Sequence, residues 1–168
     1  MGRVEPDEWS RLRAVRLAAL AESPEMFGSA LAREEAFDEA EWRRRAARPA
    51  TFIAVRDGVD VGLAGAYELD VGWFVMGMWL APSARGTGLV EALLAACESV
   101  ALEAGAREIL LGVMEDNPRG RGAYARAGYL PTGDREHVRD GRDELFLVKH
   151  LRPVRVEDAS RQAGADAG

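Results

Sequence analysis

The chain of 168 residues is 48% hydrophobic and 30% charged, which suffices for one globular core and leaves too little length for two. Its 22 basic and 28 acidic side chains give a formal net charge of −6, which argues against nucleic acid and membrane surfaces as partners. A single cysteine excludes an intramolecular disulfide and a thiolate-cluster metal site, and two histidines far apart speak against a histidine site, so no metal is expected. The opening MGRVEPDEW lacks the apolar stretch of a secretory signal, and no apolar run approaches the roughly 20 residues that span a bilayer, so a cytoplasmic location is expected.

Val4 marks a short first strand. Residues 7–22 read as a helix with Asp7 as N-cap, because Leu12, Val15, Ala19 and Leu20 fall on one face. Residues 23–30, with Pro24 and Gly28, form a loop. A second helix is expected over residues 33–47, packing Phe37, Ala40 and Trp42 and closed by Pro49. The period then becomes strand-like: residues 51–56 and 61–67 flank Asp57-Gly58, a strong two-residue hairpin signal. After a turn at residues 70–72, the apolar run 73–80 fits a central strand buried on both faces, with Trp73 and Trp79 in the core. Residues 89–104 are strongly helical, with Cys97 inside as a small buried hydrophobe, and Gly105 stops them. Residues 109–114 form a second buried strand. This βαβ unit makes strands 73–80 and 109–114 parallel. A short helix over residues 118–127 is opened by Asn117-Pro118 and stopped by Gly128. Strands 129–138 and 145–151 follow, around a turn at residues 139–142. The expected fold is α/β, a mixed and mostly antiparallel sheet with one parallel pair at its centre. Residues 1–152 make a single domain, and residues 153–168 are expected to be a disordered tail.

The chemistry concentrates in Ala84-Arg85-Gly86-Thr87-Gly88, between a buried strand and a long helix. Glycines let the backbone approach a bound group, and the first amides of a helix lack intrahelical acceptors, so such a turn suits a phosphate. It is neither a Walker loop nor the dinucleotide fingerprint. Together with Trp79-Leu80-Ala81-Pro82 before it, and Asn117-Pro118-Arg119-Gly120-Arg121-Gly122-Ala123-Tyr124 and Gly128-Tyr129 after it, the segment resembles the GNAT superfamily of acyl-CoA-dependent N-acetyltransferases. The resemblance covers nearly the whole domain, with two departures: Val90 stands where the family's loop ends in a small residue, and Gly120 where it has alanine.

The resemblance implies a parallel pair splayed to admit acetyl-CoA as acyl donor. It assigns the pyrophosphate to the backbone of Arg85, Gly86, Thr87, Gly88, Leu89 and Val90. The amide of Met78 falls near the thioester carbonyl as oxyanion donor, and that of Leu80 near the pantetheine arm. Tyr124 occupies the position of the general acid that protonates the leaving thiolate, although packing between helix and sheet would also account for it. Asn117 either caps the following helix or holds the pantetheine, and one amide can do both. The family has no single motif for the base that deprotonates the amine. Glu68, Asp70, Glu115 and Asp116 are candidates, and Glu115 ranks first because it lies where open parallel strands present their active-site ends. The implied reaction is acetyl transfer by direct attack to a primary amine of a small molecule. A protein N-terminus or lysine as acceptor, a non-catalytic acyl-CoA-binding or sensing module, and a homodimer are left open.

Overall fold

The computed structural model describes residues 1–47, 50–139 and 141–152. Pro49, Asp140 and the tail from residue 153 lie outside the described residues, and the readings placed on them with it. The elements in chain order are β1 (Gly2–Arg3), α1 (Trp9–Glu22), α2 (Leu31–Glu35), α3 (Glu39–Ala46), β2 (Thr51–Arg56), β3 (Val59–Leu69), β4 (Gly72–Leu80), α4 (Leu89–Glu103), β5 (Glu108–Met114), α5 (Pro118–Arg126), β6 (Leu130–Arg139) and β7 (Arg142–His150). They form one sheet in the order β1-β2-β3-β4-β5-β7-β6, antiparallel throughout except for the pair β4–β5. This is the mixed sheet expected from the sequence.

Local chemistry explains most boundaries. Asp57 and Gly58 both have positive φ, 52° and 78°, as a two-residue turn matched to strand twist requires. In α1 the buried residues are Leu12, Val15, Ala19 and Leu20, the face read from the sequence. Asp7, however, does not cap this helix. Pro6 opens a tight 3₁₀ turn, Pro6–Glu8, with Glu5 and Glu8 in a capping box, and α1 begins only at Trp9. The expected second helix is two. The Asp38 side chain accepts from the Glu41 amide at 2.8 Å and starts α3 anew, so Ala40 turns out exposed while Trp42 is buried.

Strand alternation divides the sheet into two faces. Trp73, Val75, Ile109, Leu111, Val113 and Leu147 pack with α4 residues Leu93, Leu94 and Cys97 in one core. Ile53, Leu63 and Trp79 pack with α1 and α3 in the other. Phe74, Met76, Gly112, Glu144 and Phe146 alternate with the first core's residues and therefore lie on the sheet face opposite α4. Met76 is 47% exposed, so β4 is not buried on both faces along its whole length as its composition suggests. No helix among the described residues is long and apolar enough to cross a membrane.

Candidate active site

β4 and β5 are in register only at Phe74–Leu110 and Val75–Leu111. Beyond these pairs the strands part, and the gap opens into a cleft of about 1580 Å³. β4 carries an irregularity at the same point: Leu63 pairs with Trp79 but Gly65 with Met76, so Gly77 and Met78 stand opposite the single residue Ala64. This is a bulge, and Gly77 accommodates it with a φ of 67°. Past the bulge, the Ala81 amide donates to the Val61 carbonyl at 2.8 Å, toward β3. Leu80 points the other way, its carbonyl accepting from Arg85 Nε at 3.0 Å. Alternation therefore turns the amides of Leu80 and Met78 away from β3, to the open side.

Beyond Leu80 the chain reaches Gly86 and Gly88, with φ of 78° and 82°, and Gly88 caps α4 in the left-handed conformation. The Arg85 amide donates to Pro82, and the next amide with a backbone acceptor is that of Ala92. Those of Gly86, Thr87, Gly88, Leu89, Val90 and Glu91 have none among the described residues. They line a turn with open space where a Cβ on either glycine would stand. The Thr87 hydroxyl braces the turn on the Ala84 carbonyl at 2.6 Å. The Arg85 guanidinium is directed backward, to Leu80 and to Glu22 at 2.7 Å, and not into the turn. Glu22 also accepts from Trp79 Nε1 at 3.0 Å and from the Ser23 hydroxyl, and these donors hold its carboxyl below the usual range, Ser23 first. Glu22 thus joins the end of α1 to β4 and to the turn, a role no sequence motif announced.

Asn117 caps α5, its side-chain oxygen accepting from the Gly120 amide at 2.9 Å. A Cβ at position 120 would press on the Asn117 amide, which accounts for glycine there. The Asn117 nitrogen reaches Met26 Sδ at 3.6 Å, in the loop after α1. Tyr124 lines the cleft from the α5 side, half-buried, its ring 6.3 Å from that of Tyr129. Burial pushes its hydroxyl up to about 12, so it is protonated at neutral pH, and it has no hydrogen-bond partner among the described residues.

The carboxylates behave differently from their ranking in sequence. Glu115 is exposed and outside the cleft lining, its amide donating to Asp143 and its carbonyl accepting from Arg121. Glu68 and Asp70 are also exposed. Asp116 is engaged by Arg142 through two hydrogen bonds of 2.9 and 2.8 Å, and Arg142 also donates to the Glu25 carbonyl at 3.2 Å. That bond pins the loop after α1 over the end of β5. The cleft is lined by Glu22, Glu25, Glu34, Glu91, Glu136 and Glu144; Glu22 and Glu34 are held by donors from neighbouring elements, and Glu136 and Glu144 are the two that stand on the strands β6 and β7. Their signal was present in the alternation Glu144, Leu145, Phe146, Leu147, but strand β7 was expected to begin only at residue 145. Cys97 is fully buried, and burial with the neighbouring Glu98 charge pushes its thiol up to about 12, which leaves no reactive thiolate. Among the described residues no group of three or more histidine, cysteine or acidic side chains could hold a metal ion.

No curated protein matches this sequence closely enough to count as a relative. Solved structures do match its fold. The yncA protein of Salmonella typhimurium, solved with its cofactor acetyl-CoA, superimposes with a TM-score of 0.71 at 13% identity, over 92% of this chain and 95% of that one. The ribosomal-protein-alanine N-acetyltransferase of Brucella melitensis gives 0.67 at 20% identity, over 89% and 98%. Nourseothricin acetyltransferase gives 0.57 at 25% identity, over 61% and 65%. At the sequence level, residues 15–129 match one family over more than half of the chain. Parted parallel strands, a bulged β4 and a glycine turn opening α4 thus accompany a family match, and the chain belongs to the acetyltransferase (GNAT) family.

Proposed function

We propose that the protein transfers an acetyl group from acetyl-CoA to the primary amine of a small molecule by direct attack, through a tetrahedral intermediate. The observation that carries this reading is the run of acceptor-free amides from Gly86 to Glu91 at the start of α4, beside the gap between β4 and β5. Amides so placed, reinforced by the helix dipole, bind a pyrophosphate without any side-chain cation. This fits an acidic protein whose Arg85 is already engaged. The Leu80 amide meets the pantetheine arm, the Asn117 side chain meets it from α5, and the Met78 amide faces the thioester carbonyl, where a donor lowers the barrier as negative charge develops on oxygen. Tyr124 protonates the departing thiolate. Its elevated pKa keeps the proton available across the working range.

The acceptor side favours a small molecule. The loop after α1 is held over one end of the cleft by the Arg142–Glu25 and Asn117–Met26 contacts, which narrows the acceptor side. The relatives by fold do not choose, because one is named for a ribosomal-protein alanine and another for nourseothricin. Residues 1–152 act as one domain, and the protein is read as cytoplasmic.

Calorimetric titration with acetyl-CoA, with ATP as control, tests the donor assignment. Saturable binding of acetyl-CoA and not of ATP is expected. A Gly88→Glu variant, which puts bulk and negative charge into the turn, should lose it. Unchanged affinity in that variant would overturn the turn's assignment.

A further inference from the structure

We propose that Glu144 is the base that takes the proton from the acceptor amine, which enters from the sheet face opposite α4 and α5. The inference rests on the acetyl-transfer reading above and concerns the one proton transfer that reading leaves without a residue.

The geometry that carries it lies at the mouth of the gap. Leu111 is the last residue of β5 in register with β4, and Gly112 follows it. The Glu144 carboxyl lies across Gly112, so closely that a Cβ there would overlap it. Glycine at this position is therefore what admits the carboxylate where the strands begin to part. The sheet separates the two proton transfers. Tyr124 packs with the core on the α4 and α5 face, whereas Glu144 shares the opposite face with Phe74, Met76 and Phe146. An amine attacking from that face pushes the thiolate out toward Tyr124, so acid and base stand on the sides where each is needed.

Glu144 has no hydrogen bond or ion pair among the described residues, unlike Asp116 and Glu22. The titratable and charged groups around it are Glu136, directly opposite on β6, Glu25 of the loop after α1, which shares a recess of about 50 Å³ with it, and Arg142, two residues back on the same face of β7 and engaged by Asp116 and the Glu25 carbonyl. β5 presents only Gly112 and Met114 there. Burial first, and then the Glu136 charge, raise the carboxyl above its ordinary range, which makes it a better proton acceptor than a solvated carboxylate.

The steps balance as follows. The Glu144 carboxylate takes one proton from the acceptor's ammonium, and the freed lone pair forms the C–N bond at the thioester carbon. The C–S bond then breaks, and sulfur leaves as a thiol with the Tyr124 proton. Glu144 releases its first proton to solvent, takes the remaining excess proton from nitrogen on the same side and gives that up to solvent in turn, and Tyr124 regains its proton from solvent.

Phenethylamine is a suitable probe, being a primary amine on an apolar body that matches Phe74, Met76 and Phe146. Thiol release from acetyl-CoA is measured with wild type and with Glu144→Gln between pH 5 and 9. The variant should bind acetyl-CoA as wild type does, and its kcat/KM at pH 8 should fall by about a hundredfold or more. The ratio of wild-type to variant kcat/KM should rise with pH and level off once Glu144 is ionised. Glu136→Gln removes the repelling charge, lowers the Glu144 pKa and should move that rise to lower pH, a displacement that loss of packing alone would not produce. A second variant, Gly112→Ala, keeps the carboxyl but displaces it and should lower kcat with acetyl-CoA affinity intact. A Glu144→Gln rate within threefold of wild type, or a pH-independent ratio, overturns the proposal. So does a wild-type protein that binds acetyl-CoA and leaves phenethylamine unreacted. Failure of wild type to bind acetyl-CoA overturns the acetyl-transfer reading itself.

Discussion

The acid role proposed for Tyr124 rests on its surroundings more than on any partner. With burial holding its hydroxyl near about 12, it loses its proton only far above neutrality, so it should impose no fall in rate between pH 7 and 10. Tyr124→Phe should lower kcat by about a hundredfold while leaving the acetyl-CoA affinity unchanged, which steady-state kinetics beside calorimetry would check. An unchanged kcat would reduce Tyr124 to a packing residue. Its spacing from Asn117 made this residue legible in the sequence, as helical periodicity did for Cys97. Glu144 was legible only as a strand alternation, not as a site residue. Its exposure to the cleft depends on a glycine on another strand, Gly112, and on a ladder between β5 and β7 that joins residues far apart in the chain. Glu115 lies at the end of its strand and in solvent, whereas Glu144 lies inside β7 with its carboxyl over another strand.

At the scale of elements, the unexpected break between α2 and α3 carries an ion network. Glu34, only 1% exposed, receives Arg16 through bonds of 3.0 and 2.8 Å and Arg45 at 3.1 Å, tying α2 to α1 and α3. Burial alone would raise this carboxyl. The Arg16 hydrogen bond and charge, with Ser29 and Arg45, outweigh burial and hold it below its ordinary value. A carboxyl depressed in this way stabilises the folded state above the unfolded pKa of about 4.3, and the contribution is lost as pH falls through the lower folded value. Glu34→Gln should therefore cost about 3 kcal/mol near neutrality, the lower end for a broken buried pair because both arginines remain partly solvated. The gap in Tm between variant and wild type should close as pH drops below about 4, followed by circular dichroism. A constant gap would show that packing and not charge holds the helices. The sequence suggested one helix here because Phe37 and Trp42 keep an apolar rhythm across the break. Only the pairing of Glu34 with residues outside its own segment, and the cap by Asp38, reveal the interruption.

Across the whole molecule, the sheet has one weak seam. β1 to β4 and β5 to β7 are each continuous ladders, but two register pairs join them. A donor lying in that seam touches both halves and stabilises the folded state by mass action. At a hundredfold excess over Kd this amounts to about 2.7 kcal/mol, or about 5–10 °C in Tm for a chain of this size. Thermal melts with and without acetyl-CoA measure it, and Gly88→Glu should show no such rise. The strand order and the parallel pair were legible because hydrophobic runs and glycine stops follow the backbone's own periods. The separation of the strands was anticipated only through family likeness, since a bulge at Gly77 and a partly exposed sheet face are properties of three strands together. The exposed part of that face has a consequence for traffic. Under the proposed reading the donor's diphosphate sits at the turn that opens α4, while the amine comes over Phe74, Met76 and Phe146 on the opposite face, so the two substrates meet in the gap without sharing an entrance.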